Sequence, residues 1–284
     1  MQFRFTKAIF LSFISALGLA TAAHGQTKWV ATWATSPQED TDDSAIKPEE
    51  LRAGTLRQIV HLSVGGTKLR LHLSNRYGAG AAHFASVHVA RAVGPGSARI
   101  VAGSDKEVLF SGKPDVTVPE GADYVSDGID FSVGALSDVA ITLRADLGGK
   151  EITGHPGSRA NSFLAKGSAV SAEDFPDAKK IARWYFIAGM DVAAPVDAFA
   201  IVALGDSITD GHGATTDGNN RWPDLFAKRL QANASTGKIG VVNQGIGGNR
   251  LLIDGIATNA LARFDHDVLA QAGLHYVILF EGIN

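Results

Sequence analysis

Three short motifs carry the residues of this sequence that could do chemistry, and each lies at or shortly after the end of an apolar run. They are Gly205-Asp206-Ser207, Gly247-Gly248-Asn249 and Gly282-Ile283-Asn284. A serine hydroxyl can attack a carbonyl carbon, and backbone N–H groups beside glycine can approach a developing anion closely. The motifs therefore indicate nucleophilic chemistry at Ser207. The alternative is that Ser207 only caps a helix.

The segments around these motifs predict the elements that position them. Residues 198–204, 239–242 and 276–280 are largely apolar, as expected for strands buried on both faces of a parallel sheet. Residues 222–230 and 260–269 have apolar side chains at helical spacing. This alternation predicts a doubly wound α/β domain, in which ligands bind at the carboxyl ends of the strands. All three motifs should meet in one crevice.

The first half of the chain has a different hydrophobic pattern, with a period of two. Residues 68–74 alternate between polar and apolar side chains, and further short alternating segments follow, separated by Gly, Pro, Asp and Ser. This pattern predicts an antiparallel β-sandwich over 27–192. The change of pattern predicts a boundary near 193–197, followed by the α/β domain over 196–284.

Residues 1–25 are typical of a secretory signal peptide. Arg4 and Lys7 provide a positive start, residues 8–19 are almost all apolar, and residues 20–25 are mostly small. The apolar run is shorter than the roughly 20 residues that a membrane-spanning helix needs. We therefore expect the signal to be removed and the mature protein to be secreted into the periplasm or the medium, without stable membrane insertion.

The composition excludes several classes of protein. The 26 Lys and Arg residues stand against 29 Asp and Glu residues, which gives a formal net charge of −3 and no basic field for nucleic acid. The chain has no cysteine, which excludes disulfides, thiolate metal sites and a cysteine nucleophile. With 45% hydrophobic and 19% charged residues, an ordinary globular protein is expected. The oligomeric state is not predictable from these features.

The three motifs, in this order, resemble the SGNH, or GDSL, esterase and lipase superfamily. Residues 205–209 are similar to the first block of that family, residues 247–250 to its second block and residues 282–284 to most of its third. Four further segments are similar to secreted bacterial members with an N-terminal β-rich domain: residues 29–33, 73–75, 209–211 and 220–224. The resemblance implies a flavodoxin-like SGNH hydrolase domain behind a β-rich domain.

The resemblance also implies a mechanism. Ser207 would attack an ester carbonyl and form an acyl-enzyme that water cleaves. The backbone N–H groups of Ser207 and Gly248 and the side-chain amide of Asn284 would bind the oxyanion, with Gly247 as an alternative to Gly248. Three more residues are candidates for substrate contact: Asp206, Trp222 and Asn249. The substrate would be a small-molecule, lipid or carbohydrate ester, and neither a cofactor nor a metal would be required.

The general base of that family is missing from this sequence. The family has it in a later Asp-x-x-His block, and none of the nine histidines here has an aspartate three positions before it. His155 and His212 are the candidates to replace it. Because the sequence stops at Asn284, within the third block, we expect a C-terminally truncated and incomplete hydrolase domain.

Two alternative functions remain open at the level of sequence. The chain could be a non-catalytic truncated relative that has lost its base. The β-rich part could instead bind carbohydrate through exposed aromatic side chains, with the α/β part inert. The aromatic residues available to it are few: Tyr77, Phe84, Phe110, Tyr124 and Phe131.

Overall fold

The computed structural model describes residues 26–40 and 45–284. The signal peptide predicted over residues 1–25 lies outside the described residues. Within the described ranges, no helix combines the length and the apolar character that crossing a bilayer requires.

The chain up to Pro195 is built mainly of strands. They are β1 (Thr27–Ala34), β2 (Gln38–Glu39), β3 (Gly54–His61), β4 (Leu69–Ser74), β5 (Ala82–Arg91), β6 (Lys106–Glu107), β7 (Val116–Val118), β8 (Asp123–Val125), β9 (Asp138–Leu147), β10 (Thr153–His155), β11 (Ser162–Lys166), β12 (Lys179–Ile181), β13 (Trp184–Tyr185) and β14 (Ile187–Pro195). A short helix, α1 (Pro48–Ala53), lies between β2 and β3.

These strands form antiparallel sheets. One has the order β1-β14-β4-β8, a second the order β13-β10-β2, and the largest the order β12-β11-β3-β9-β5-β6, with β7 also paired to β5. In β4 the predicted alternation holds, since Leu69, Leu71 and Leu73 are buried while Arg70 and His72 are partly exposed. The antiparallel pairing predicted for this half is confirmed, and its arrangement as a two-layer sandwich stays a prediction.

The second part of the chain alternates between strands and helices. It contains β15 (Phe199–Gly205), α2 (Ser207–Asp210), α3 (Trp222–Gln231), β16 (Ile239–Gly245), α4 (Ala260–Phe264), a π-helical turn (Asp265–Leu269) that continues α4, and β17 (Leu274–Phe280). The three strands form a parallel sheet in the order β16-β15-β17. Gly205 is paired with Gly245 on one side and with Phe280 on the other, so the three carboxyl ends are level.

One face of the parallel sheet lies directly against the antiparallel part. The backbone N–H of Ala31 in β1 donates to the carbonyl of Ala272 at 2.8 Å, and Ser63 Oγ accepts from the N–H of Val241 in β16 at 2.9 Å. Gly240 makes this approach feasible, because a Cβ there would lie 2.5 Å from the Ala31 carbonyl oxygen. Buried residues of both parts form one hydrophobic cluster. The predicted boundary near 193–197 therefore separates two patterns of pairing that share a core, and the doubly wound arrangement stays a prediction.

The prediction that residues 276–280 form a strand buried on both faces is wrong. Tyr276, Leu279 and Phe280 of β17 are each about half exposed or more. The physical reason is its position, because β17 is an edge strand paired only with β15 among the described strands. Its apolar sequence indicates a strand but not how much of that strand is covered.

Candidate functional site

Ser207 is the first residue of α2 and directly follows the turn at the end of β15. Asp206 is the N-cap of α2, and its Oδ1 accepts a hydrogen bond from the backbone N–H of Ile208 at 2.9 Å. This cap fixes the angle between strand and helix. Ser207 is partly exposed, whereas Asp206 is buried. Asp206 thus has a structural role in the turn, and its contact with substrate stays a prediction.

Two of the predicted oxyanion donors line one cleft. Gly248 and Asn284 are in the wall of an open cleft of about 600 Å³, together with Arg250, Asp254, Gly255 and Ile256. Asn284 Nδ2 donates to the carbonyl of Asn249 at 2.9 Å and lies 3.5 Å from Asp206 Oδ2. Ser207 is not in the wall of this cleft, although its neighbour Asp206 contacts Asn284. The structure thus brings the second and third motifs together and joins the first to them through Asp206.

The backbone at the strand ends leaves N–H groups unused. Among the described residues, the N–H groups of Ser207 and Gly248 donate to no protein acceptor. Gly248 has a φ of +69°, in the left-handed region that favours glycine. Gly247 also has an unbonded N–H but does not line the cleft. The geometry therefore favours Gly248 over Gly247 as the residue that faces a ligand.

His155 does not pair with Ser207. Its Nδ1 lies 2.8 Å from the carbonyl oxygen of Ser36, and its Nε2 lies 2.9 Å from Asp210 Oδ1, with both side chains buried. A carbonyl oxygen can only accept, so Nδ1 carries a proton and Nε2 faces the carboxylate. Because both ring nitrogens are engaged, His155 in this arrangement cannot accept a proton from Ser207.

His212 is close to Ser207 through the backbone alone. Its N–H donates to the carbonyl of Ser207 at 2.8 Å, while its exposed side chain makes no hydrogen bond within the described chain. Other histidines are bonded to aspartates: His61 to Asp138, His72 to Asp191, His83 to Asp115, His88 to Asp105, and His266 to Asp123 and Asp267. Over residues 26–40 and 45–284, no group of three or more His, Asp or Glu side chains could hold a metal ion.

Two other residues predicted to contact substrate have structural partners. Asn249 is fully buried, its Oδ1 accepts from Arg263 and its Nδ2 donates to the carbonyl of Thr258 at 2.8 Å. Trp222 opens α3, is partly exposed, and its Nε1 donates to Thr209 Oγ1 at 3.3 Å. The side-chain oxygen and nitrogen of Asn249 both have protein partners, and its contact with substrate stays a prediction. Trp222 retains an exposed part, and its contact with substrate stays a prediction.

Arg263 lies in this region, although the sequence analysis did not identify it as a functional residue. It is almost fully buried, and its guanidinium bonds to Gly205, Gln244, Asn249, Asp267 and Ser36. The available sequence signal was the i,i+4 spacing of Arg263 and Asp267 on a predicted helix. Such pairs are common on exposed helix faces, so the spacing alone does not reveal burial.

Glu281 supplies a second buried charge beside Arg263. Its side chain is fully buried, and its Oε1 lies 3.6 Å from Arg263 Nη2. Within the part of the chain that the structure describes, neither carboxylate oxygen accepts a hydrogen bond. Burial raises the pKa of this carboxyl, Arg263 opposes the rise, and the charge of Asp206 adds to it. The region around the strand ends is therefore closely packed and electrostatically coupled.

Comparison with known proteins defines the class of this region. Residues 203–284, which include all three motifs, match the model of the family described as GDSL-like Lipase/Acylhydrolase. The C-terminal part of the chain is thus similar to this family.

No curated protein matches the chain significantly. One solved structure that it resembles weakly is a family two carbohydrate esterase from Cellvibrio japonicus, with 14% identity and a TM-score of 0.17. The match covers 80% of this chain and 55% of that one, so the chain spans about half the length of this relative.

Proposed function

We propose that this protein is a secreted ester hydrolase in which Ser207 is the nucleophile of an acyl-enzyme mechanism. The observation that carries the proposal is the placement of Ser207, Gly248 and Asn284 after the level carboxyl ends of three parallel strands, within a region that matches a GDSL-like family. We extend the proposal to a doubly wound SGNH arrangement for residues 196–284 and a β-sandwich for residues 27–192.

The proposed chemistry requires a tetrahedral intermediate. Ser207 Oγ would add to the ester carbonyl, and the carbonyl oxygen would become an anion. The free N–H groups of Ser207 and Gly248, with the amide of Asn284, would then donate to that anion. Each such donor lowers the barrier by roughly 3 to 4 kcal/mol. A small-molecule, lipid or carbohydrate ester would be a suitable substrate class.

The proton of Ser207 needs an acceptor that the described histidines do not supply. His155 is engaged at both nitrogens, and the side chain of His212 is not bonded to Ser207. The family that the sequence resembles has its general base in an Asp-x-x-His block, and these 284 residues do not contain such a block. We therefore expect proton transfer to limit any hydrolysis by this polypeptide.

The alternative of carbohydrate binding by the β-rich part has little support from its five candidate aromatic residues. Phe84, Phe110 and Phe131 are buried in the core. The hydroxyl of Tyr77 is bonded to Thr258 and that of Tyr124 to Ser111. These five residues provide no exposed aromatic platform, and ester hydrolysis is the function that the geometry supports best.

Binding of phenylboronic acid tests the site without requiring a built-in base. The Oγ–B bond forms, boron becomes tetrahedral and anionic, and the proton of Ser207 leaves to the buffer. We expect wild-type protein to form this adduct, detected by ¹¹B NMR, and Ser207→Ala to bind at least about 10-fold more weakly.

Ser235 offers a matched control, because it is an exposed serine outside the three motifs. Its Ser235→Ala variant should bind phenylboronic acid like the wild type. Equal binding by the wild type and Ser207→Ala would refute Ser207 as the nucleophile.

A further inference from the structure

A single buried guanidinium contacts the chain close to two of the three proposed oxyanion donors, Ser207 and Gly248. Arg263 Nη2 donates to the carbonyl of Gly205 at 3.1 Å, and Nη1 donates to the carbonyl of Gln244 at 2.7 Å. Nε and Nη2 both donate to Asn249 Oδ1, at 3.0 and 2.7 Å. Gly205 closes β15, Gln244 lies at the end of β16, and Asn249 follows Gly248. The guanidinium thus joins the ends of two neighbouring strands and the loop after the second.

Asn249 extends this connection to the third strand. Its side chain is held by Arg263, and its own carbonyl accepts the hydrogen bond from Asn284 Nδ2 at 2.9 Å. Asn284 follows β17, so the contact reaches the third motif. The backbone segments that carry the N–H of Ser207, the N–H of Gly248 and the amide of Asn284 are therefore tied, directly or through Asn249, to one side chain.

The shape and charge of arginine suit this position. A guanidinium presents five donors in a rigid plane and stays protonated, whereas a lysine ammonium has three donors at one point. Two carboxylates balance its buried charge, Asp267 at 2.8 Å and Glu281 at 3.6 Å, and Ser36 Oγ accepts from Nη1 at 2.9 Å. Replacing Arg263 by lysine keeps the charge but cannot keep all of the contacts to Gly205, Gln244 and Asn249.

We propose that Arg263 is a positioning residue that holds the three oxyanion donors in register. This inference rests on the proposed function of Ser207, Gly248 and Asn284. It assigns Arg263 no contact with substrate, and it makes oxyanion binding, rather than folding alone, depend on the guanidinium. Asn249 connects Arg263 to Asn284 and is therefore also a positioning residue.

The test measures the affinity of folded protein for phenylboronic acid in Arg263→Lys. We expect a loss of about 10-fold or more, because small displacements of oxyanion donors weaken binding of a tetrahedral anion strongly. Circular dichroism and the melting temperature establish that the variant is folded. If Arg263→Lys does not fold, the triple variant Arg263→Met, Asp267→Asn, Glu281→Gln removes the buried positive charge together with its counter-charges and is tested in the same way.

Arg57 provides the matched control. It is fully buried in β3, and its guanidinium donates to Thr142 Oγ1 at 2.9 Å and to the carbonyls of Ala98 and Ala172 at 2.6 Å each. Arg57→Lys should lower the melting temperature yet change boronate affinity by less than about 2-fold, because these contacts lie within the antiparallel part.

The outcomes separate the two proposals. If wild type shows no Ser207-dependent adduct, the proposed function fails and the role of Arg263 falls with it. If wild type forms the adduct and the folded Arg263 variant binds within 2-fold of it, the positioning role is refuted while the proposed function stands. An equal loss of affinity in Arg57→Lys would likewise refute positioning, since any destabilisation would then suffice.

Discussion

Gly245→Ala is expected to lower the free energy of unfolding by about 3 kcal/mol, because an added methyl group would overlap the backbone of α2. A Cβ at this position would lie 2.2 Å from the backbone nitrogen of Asp210 and 2.7 Å from its Cα and from the carbonyl carbon of Thr209. Backbone atoms cannot rotate away as a side chain can. The helix that starts with Ser207 would have to move off the end of β16. Urea denaturation measures the loss.

Gly247→Ala is the matched control for this prediction. The nearest atom to a Cβ at Gly247 is Asp210 Oδ2, at 3.7 Å, and Gly247 is not among the described glycines with positive φ. The methyl group is therefore accommodated, and the free energy of unfolding should change by less than about 0.5 kcal/mol. Similar losses in both variants would show that the close packing of α2 on β16 is not the cause.

Raising the pH from 6.5 to about 9 is expected to remove about 3 kcal/mol of stability through His266. Its Nδ1 lies 2.7 Å from Asp267 Oδ1 and its Nε2 lies 2.5 Å from Asp123 Oδ2. Burial lowers the pKa of His266, but the hydrogen bonds to Asp123 and Asp267 outweigh it and raise the pKa from 6.5 to about 9. Only the imidazolium can donate to both carboxylates at once.

The sign of the effect follows from the raised pKa. The unfolded chain releases the proton near pH 6.5, whereas the folded protein retains it up to about pH 9. The stabilisation is therefore complete below pH 6.5 and is lost progressively as the pH rises through about 9. Arg263 also lies beside Asp267, and Arg76 lies near Asp123.

The His266→Gln variant separates this group from all other titrations. It should be less stable than the wild type at pH 6 by about 3 kcal/mol, and the difference should vanish near pH 10. Urea denaturation at several pH values gives both curves. Parallel curves for the two proteins would contradict the double hydrogen bond of His266.

The parallel strands of the second part could be predicted because their apolar runs are local features. Residues 199–204 of the predicted run 198–204 lie within the observed β15, residues 239–242 lie within β16, and the motif after each lies at or near a strand end. Exposure of β17 could not be predicted, because burial of an edge strand depends on what lies beside it in space. The local hydrophobic pattern thus predicts that a segment forms a strand, but not whether the rest of the protein buries that strand.

The polar network around Arg263 was not predictable for a related physical reason. Ser36 is far from Arg263 and Asn249 in sequence, and each of the three residue types is ordinarily exposed. Their burial follows from the packing of β1 against the parallel sheet, which no periodicity encodes. The same packing engages His155 with Ser36 and Asp210, a burial that the sequence around His155 does not indicate.

Hydrolysis of p-nitrophenyl acetate tests the central claim, Ser207 as a nucleophile without a base among the described residues, most directly. The polypeptide of these 284 residues and its Ser207→Ala variant are compared with and without added imidazole. We expect equal rates without imidazole and a higher wild-type rate with it, because a diffusing base can accept the Oγ proton. Equal rates for the wild type and Ser207→Ala in imidazole would contradict the assignment of Ser207 as the nucleophile. A Ser207-dependent rate without imidazole would contradict the claim that no described residue acts as the base. His155 or His212 would then be the candidate general base.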